Sequence, residues 1–421
     1  MLIKNKKHIF LFFLISFLPI SIILGSTISL LNVIAAGLTI LLICHFEKKF
    51  IIFKNEIIII LLFLCIYLVF NTLISIDYRS GLARNLGFFR FILLFIFINY
   101  IFYMNNYKGN FLNVWTGVIL LLIFDIFIEF YLGKNIFGWG AIEINGEIQA
   151  DGSRVASFFK DEPIAGSFLA GFILLIFGHL LKRFDKKIYI PIIFLFISIL
   201  ALLATGERSN TIKIFLGIIL FFFFMDFIKF KTKLFTLIAI SALFFIFINK
   251  SDYLKLRYFG QFLNNFSSKE KTINFLSESQ YFKLYRSGLA VFKNYPIFGV
   301  GNKNYRVETC KSKIDQIKYG YECTTHPHQT YVEMLSENGL VGTLVIIGSI
   351  FFMMFKILKE IFLSKNYIQV GSFVYSLVIF TPLLPSGSFF SDFNLTLFWI
   401  NFSIMFGCSK ETNLFAKCPI K

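Results

Sequence analysis

The sequence predicts an all-α membrane protein that crosses the bilayer many times. Hydrophobic residues make up 57% of its 421 residues, whereas soluble domains contain about 45–50%. A helix needs roughly 20 mostly apolar residues to cross the hydrocarbon core, and stretches of about this length recur along the chain. The twelve stretches are 9–25, 28–44, 57–75, 86–104, 111–132, 164–181, 188–204, 211–228, 234–249, 340–358, 367–384 and 394–408.

Basic residues in the short loops predict the orientation of these spans, because Lys and Arg accumulate on the cytoplasmic side. With the N-terminus in the cytoplasm, the basic loops 47–54, 182–187, 229–233 and 356–365 all fall on that side, and twelve spans return the C-terminus there. The net charge of +17 then reflects topology and attraction to anionic lipid headgroups. Nucleic acid is not an expected partner.

Two long outward loops divide the chain into three predicted parts. Residues 1–249 hold spans one to nine, with an outward loop at about 133–163. Residues 250–338 form a large outward loop, expected to be helical and to lie over the membrane face. Residues 339–421 hold spans ten to twelve and a cytoplasmic tail. Loops of such length are usually functional.

The larger loop contains two cysteines, Cys310 and Cys323. In an oxidising compartment we expect them to form a disulfide, which would stabilise the fold by roughly 3 kcal/mol on the chain-entropy model. The alternative is two unrelated thiols.

The two basic residue types are distributed differently between the two sides. The chain has nine arginines and 32 lysines, and the only arginine in the cytoplasmic loops is Arg183. Because the planar guanidinium binds phosphate or carboxylate through two parallel hydrogen bonds, this bias predicts an anion site on the outer side. Chance and the topological role of lysine are the alternative. The outward arginines are Arg79, Arg84, Arg90, Arg154, Arg208, Arg257, Arg286 and Arg306.

The outward turn GERSN, residues 206–210, is too short to leave the membrane surface. Arg208 should therefore reach the headgroup layer, where a lipid-linked phosphate would lie, and Lys213 in the next span adds a second positive charge. A simple ion pair between Arg208 and Glu207, or contact with lipid, is the alternative.

Several charged residues are predicted at membrane depth, where ions are expensive and usually pair. We expect Arg90 to form a structural ion pair with Asp125 or Glu129, which are four residues apart on one helix face. Arg154 in the first long loop is placed to reach the same outward cavity.

The stretch THPHQTYVEMLSENGLVG, residues 325–342, predicts a helix that starts at Pro327 and stops at Asn338 and Gly339. His328 would share a face with Tyr331, and Glu337 would lie on the adjacent polar stripe. A helix N-terminus disfavours the imidazolium ion, so His328 would be neutral, as a general base must be.

The alternative is a purely structural role, in which His328 and the neighbouring His326 only form hydrogen bonds with polar groups of the loop. A zinc site is rejected, because no further Cys or His ligands are spaced around this pair.

These motifs resemble the O-antigen ligase and polymerase superfamily. Residues 328–342 are similar to its HNxYLxxLxExGxxG signature, and 285–305 to the WRxALxxxxxxPxxGxGxxxF segment that precedes it. GERSN resembles the exterior TxSRxA-like turn, and PSGSFFSDFNLTLFW at 385–399 the last exterior turn of ligase-type members. The sequence departs at Gln329, usually Asn, and at Asn210, usually a small residue.

The resemblance implies a metal-independent, inverting glycosyltransferase of the GT-C type, without a cofactor, in the bacterial inner membrane with its active site facing the periplasm. The donor would be a polysaccharide on undecaprenyl pyrophosphate, and the acceptor a sugar hydroxyl of lipid A core or another glycan. His328 would take the proton of the attacking hydroxyl, while Arg208, Arg286 and Arg154 would hold the pyrophosphate.

Two alternatives stay open. Within the class, the chain would be a polymerase that joins repeat units on the same carrier. From another class, twelve spans with both ends inside suit a polysaccharide flippase or exporter. Transporters, however, show internal repeats and polar residues at the bilayer midplane, whereas here the polar groups cluster towards one side.

Overall fold

The structure is a computed structural model that describes residues 2–104, 110–140, 143–144, 147–148, 154–160, 162–225, 229–260, 268, 279–363 and 366–416. Its first part is a series of apolar helices joined by short connections. These helices are α1 (Leu2–Ile23), α2 (Ser26–Phe46), α3 (Glu56–Leu73), α4 (Tyr78–Gly87), α5 (Phe89–Tyr103), α6 (Asn110–Leu132), α7 (Ala165–Arg183), α8 (Tyr189–Ala204), α9 (Arg208–Phe224) and α10 (Phe230–Asn249).

The connection between α6 and α7 contains two short paired strands, β1 (Glu143–Ile144) and β2 (Glu147–Ile148). The remaining α-helices of the described chain are four that follow α10 and then the last three apolar helices. They are α11 (Asp252–Lys255), α12 (Gln280–Asn294), α13 (Tyr305–Thr309), α14 (Lys313–Tyr319), α15 (Thr330–Leu363), α16 (Tyr367–Val378) and α17 (Asp392–Gly407).

A helix lies over each of the twelve predicted apolar stretches, which confirms the all-α membrane class. Seven helices of the described chain are long and apolar enough to cross a membrane, so the count of twelve spans stays a prediction. The large predicted loop contains the short helices α11 to α14, as expected. Its residues 261–267 and 269–278 lie outside the described residues.

Helix α7 forms the centre of the bundle, and nearly all of its residues are buried. It packs against α8, α9, α16 and α17. At Gly178 the backbone of α16 comes so close that an added Cβ would lie 2.3 Å from the carbonyl oxygen of Tyr367. Small residues allow such close helix contacts in membranes, where van der Waals packing largely drives association.

Charged contacts identify one end of the bundle. Lys7 pairs with Glu47 at the connection after α2, and Arg183 at the end of α7 bonds to Asn113 near the start of α6. The end of α5 joins these contacts, because Tyr100 donates to Glu47 (2.9 Å). Tyr103 lines the same cavity as Arg183. The basic connections predicted to be cytoplasmic after α2 and α7 therefore lie at one end of the bundle, whereas the start of α7 lies at the other end.

Helix α15 is kinked at Gly339, whose φ of 65° and ψ of −170° are not helical. The kink frees backbone groups that bond to the turn at 296–301. Leu340 N–H donates to Pro296 O (2.8 Å), and Gly301 N–H donates to Glu337 O (2.8 Å). The helix stop predicted at Gly339 is thus a kink, and it joins the two motif segments to each other.

We predict that Gly339→Ala destabilises the protein, because the new Cβ would lie 2.3 Å from the carbonyl oxygen of Ile297 at a positive φ. Left-handed backbone at a residue other than glycine costs of order 1–3 kcal/mol. The melting temperature in detergent should fall by several degrees. Gly348→Ala on the same helix is the control, since an added Cβ there meets nothing within 4 Å. Equal melting temperatures for the two variants would contradict the kink.

Candidate active site

The turn between α8 and α9 is built around a buried carboxylate. Glu207 is 6% exposed and accepts hydrogen bonds from Gly166 N–H (2.8 Å), Ser167 Oγ (2.9 Å) and Asn210 Nδ2 (2.6 Å). It therefore ties the turn to the start of α7. The alternative in which Arg208 simply pairs with Glu207 is not what these contacts show.

Arg208 instead belongs to a group of cations. Its Nη1 donates to the carbonyl oxygen of Arg257 (3.2 Å), and Arg257 Nε donates to the carbonyl oxygen of Gly206 (3.2 Å). Arg154 lies within electrostatic range of Arg208 and Glu207. We call Arg154, Arg208 and Arg257 the arginine cluster. Carbonyl oxygens orient two of these guanidinium groups while leaving their positive charge in place.

Tyr253 adds a hydrogen-bond donor to the arginine cluster. It lies on α11 within electrostatic range of all three arginines, and its hydroxyl is buried without a hydrogen-bond partner in the described part of the chain. Buried polar atoms are usually paired, so this hydroxyl is available to a ligand. An anion is the ligand that these charges and this donor favour.

The histidine segment differs from its prediction. Helix α15 begins at Thr330, and Gln329 caps it by accepting from Val332 N–H (2.8 Å). Pro327 is therefore not the first helical residue, and the prediction that His328 lies on a helix face was wrong. His328 has a φ of 55°, a left-handed conformation that is uncommon outside glycine and clusters at functional sites.

The turn at residues 386–389 holds His328 in this conformation. Ser386 N–H donates to His328 O (2.9 Å), and Ser386 Oγ lies 3.1 Å from Thr330 Oγ1. Glu333 on α15 accepts from Ser388 Oγ and from Phe389 N–H. Residues 386–389 thus fix the histidine segment, and these contacts are not evident from the sequence.

The two histidine rings pack together, with centroids 4.0 Å apart. Burial lowers the pKa of His328 below its ordinary value, and the charge of Arg154 lowers it further. Burial and the neighbouring His328 lower the pKa of His326 to about 4. The predicted direction for His328 is confirmed, but burial rather than the helix dipole is the main cause.

Tyr281 on α12 connects the histidine to the arginine cluster. Its ring lies 6.3 Å from the His328 ring, and it is within electrostatic range of Arg208. His328 also feels Arg154 directly. The structure therefore brings a neutral imidazole and three guanidinium groups together at one end of the bundle.

Other predicted residues support this site or lie outside it. Tyr331 donates its hydroxyl to Phe380 O (2.7 Å), so it fixes α15 against the end of α16. Lys213 is buried below the turn, within range of Glu207. Arg286 lies on the exposed side of α12 with its Nε near Phe282 O (3.4 Å), whereas Tyr281 faces His328.

Two buried carboxylates lie behind the histidines. Glu333 and Glu337, each 1% exposed, are one turn apart on α15, and Glu337 accepts from Tyr305 N–H (3.3 Å). Arg84 on α4 is within electrostatic range of both carboxylates and of His326. Arg84 and Arg257 were predicted only as members of the outward arginine set, not as site residues.

The predicted ion pair of Arg90 is wrong. Arg90 pairs with Asp392 at the start of α17. Asp125 accepts from Ile136 N–H (2.9 Å) and Ser157 Oγ, and Glu129 accepts from Ala156 N–H (3.0 Å). These two carboxylates satisfy the backbone of the first long loop instead, so they position the segment that carries Arg154.

Cys310 and Cys323 form a disulfide that closes 13 residues around α14. The bridge joins the end of α13 to the irregular segment that leads to His326. It shortens the free chain before the histidine segment, which reduces the entropy lost when that segment is ordered.

Residues 193–347 match the family model described as O-antigen ligase. This range runs from α8 into α15 and includes Arg208, Arg257 and His328. The match supports the O-antigen ligase and polymerase superfamily, a family of glycosyltransferase-like membrane enzymes, and so confirms the resemblance read from the motifs. The comparison with curated proteins found no match.

The partly buried histidines predict how stability depends on pH. The folded pKa of His326, about 4, lies below its ordinary value of 6.5, so the unfolded chain binds more protons between these values. The contribution of His326 to the free energy of unfolding is therefore fully present above about pH 6.5 and is lost as the pH drops towards 4. His326→Gln should make the fall in melting temperature between pH 7 and 5 shallower.

His45→Gln, a change at an exposed histidine near the other end of the bundle, controls for the loss of any histidine. Identical pH slopes for wild type and His326→Gln would show that the ring is not buried as described.

Proposed function

We propose that this protein is an O-antigen ligase-like glycosyltransferase. It would transfer a polysaccharide from undecaprenyl pyrophosphate to a sugar hydroxyl of lipid A core or of another glycan. The observation that carries the proposal is the meeting of His328 with the arginine cluster, of which Arg208 and Arg257 lie with His328 in the residues that match the O-antigen ligase family.

The arginine cluster would bind the diphosphate. Diphosphate is a leaving group whose charge must be stabilised as the glycosidic bond breaks. Arg208 and Arg257 are oriented by carbonyl oxygens, and Arg154 approaches from the first long loop. In this proposal Arg257 joins Arg208 and Arg154, and Arg286 on the exposed side of α12 stays a predicted pyrophosphate ligand. The arginines, rather than a metal ion, supply the positive charge.

His328 would act as the general base. Its lowered pKa keeps the ring neutral near pH 7, so it can accept the proton of the acceptor hydroxyl. The hydroxyl oxygen then bonds to the anomeric carbon while the electron pair of the old C–O bond leaves with the diphosphate. Attack opposite the leaving group inverts the anomeric centre, and the imidazolium later releases its proton to solvent.

Orientation completes the proposal. The basic connections at the ends of α2 and α7 lie at the end of the bundle opposite to His328. Since basic loops favour the cytoplasm, the two termini would be cytoplasmic and the site would face the periplasm of a bacterial inner membrane. Residues 386–389, which resemble the last exterior turn of ligases, contact the histidine segment directly, and this favours ligase over polymerase.

The test is deletion of the gene and complementation with variants. Deletion should remove surface polysaccharide and leave long glycan chains on the lipid carrier. Single repeats on the carrier would instead indicate a polymerase, and carrier trapped in the inner leaflet a flippase. His328→Ala should fail to complement, because it removes the base. Arg208→Lys should lose most of the activity, because it keeps the charge but loses the planar fork.

Matched controls separate these effects from general loss of charge or histidine. Arg306→Lys changes an exposed arginine of α13, and His45→Ala changes an exposed histidine near the other end of the bundle. Both should restore the glycan when expressed at the wild-type level. Full complementation by His328→Ala at that level would refute the proposed mechanism.

A further inference from the structure

A cavity of about 590 Å³ lies at the end of the bundle opposite to His328. It is formed where α5, α7 and α17 end and where α6 begins, and residues of the chain after α17 complete it. The other ends of α5, α7 and α17 lie on the side of the candidate active site. The proposed reaction therefore makes no use of this cavity.

The lining of this cavity is cationic. Lys182, Arg183 and Lys410 contribute positive charge, and none of the described lining residues is acidic. The nearby Glu411 accepts a hydrogen bond from Ser409. Basic residues near a helix C-terminus, such as Lys182 and Arg183, also stabilise the helix. That role explains why they are basic, but it does not explain a cavity between them.

A hydrogen-bond network between α6 and α7 orients one of these cations, the exposed Arg183. His179, 5% exposed, has its Nε2 at 2.8 Å from Asn113 Oδ1, and Arg183 Nη1 donates to the same oxygen. One amide oxygen on α6 thus holds both side chains of α7. An oriented guanidinium loses little entropy when it binds a ligand, which favours recognition of a planar or tetrahedral oxyanion.

We propose that this cavity binds the phosphate of an anionic lipid headgroup. The cations would hold the phosphate, and the apolar lining side chains Phe102 and Ile368 would contact the glycerol and the first carbons of the lipid chains. Its volume lies within the roughly 300–1,000 Å³ of small-molecule sites. On the proposed orientation it opens in the inner leaflet, whose anionic lipids attract basic residues. Dissolved phosphate offers the same chemistry.

The test uses the purified full-length chain. Native mass spectrometry would measure retention of phosphatidylglycerol and of phosphatidylcholine, and melting temperatures would be recorded with added inorganic phosphate. The cavity variant is Arg183→Gln with Lys410→Gln. The control is Lys186→Gln with Lys187→Gln, which removes two charges next to α7 that do not line the cavity. Lys410→Glu alone serves as a second variant that spares the bond to Asn113.

We expect wild type and control to retain phosphatidylglycerol over phosphatidylcholine, and both cavity variants to bind it at least about tenfold more weakly, since each loses a charged partner. Equal retention by cavity variants and control would overturn the proposal. Stabilisation by inorganic phosphate in wild type only, without retention of phosphatidylglycerol, would support an anion site but overturn the lipid as its ligand. Each protein's melting temperature without ligand shows whether it is folded.

Discussion

Repulsion between like charges is the constraint on which the site depends. Arg154 and Arg257 both lie within electrostatic range of Arg208, next to apolar helices that screen charge poorly. All three arginines lie within range of Tyr253. Such a group is stable only if its members are fixed by the fold and neutralised by a ligand. Here backbone carbonyl oxygens fix Arg208 and Arg257, while the buried Glu207 is occupied by the start of α7. Among the described residues no ion pair neutralises these guanidinium groups, which is why we propose a ligand anion there.

The rest of the fold serves to bring this cluster and the histidine to one point. The kink at Gly339 exposes backbone groups that bond to residues 296–301, and the turn at 386–389 holds His328 in a left-handed conformation. Asp125 and Glu129 fix the segment before Arg154. Polar groups buried in a membrane protein must find internal partners, and each of these contacts meets that requirement while positioning a site residue.

Much of this was predictable from the sequence, because apolar length and motif spacing are local signals. The helices, the disulfide pair and the break at Gly339 follow from residues close together in the chain. The prediction that Arg208 and His328 are site residues rests on the same kind of local signal. The partners of Arg90 and Glu207 could not be predicted in this way, because they lie far from these residues in the sequence. The arginine bias identified the outward set that contains Arg257, but only the carbonyl contacts show which arginines converge. Pro327 predicts a helix start just before His328. The sequence does not show the hydrogen bond from Ser386 that holds His328 outside the helix.

The two ends of the bundle differ in how they hold positive charge. At the His328 end Arg208 and Arg257 bond to backbone oxygens. At the other end, by contrast, Lys182, Arg183 and Lys410 surround an open cavity. We propose that the diphosphate binds at the His328 end of the bundle. An experimental structure of the full-length protein with an undecaprenyl diphosphate tests it most directly. We expect phosphate density between Arg154, Arg208 and Arg257, with the ring of His328 facing it. Phosphate density only at the other end, or an imidazole turned away from the phosphate, would show that the diphosphate does not bind as proposed.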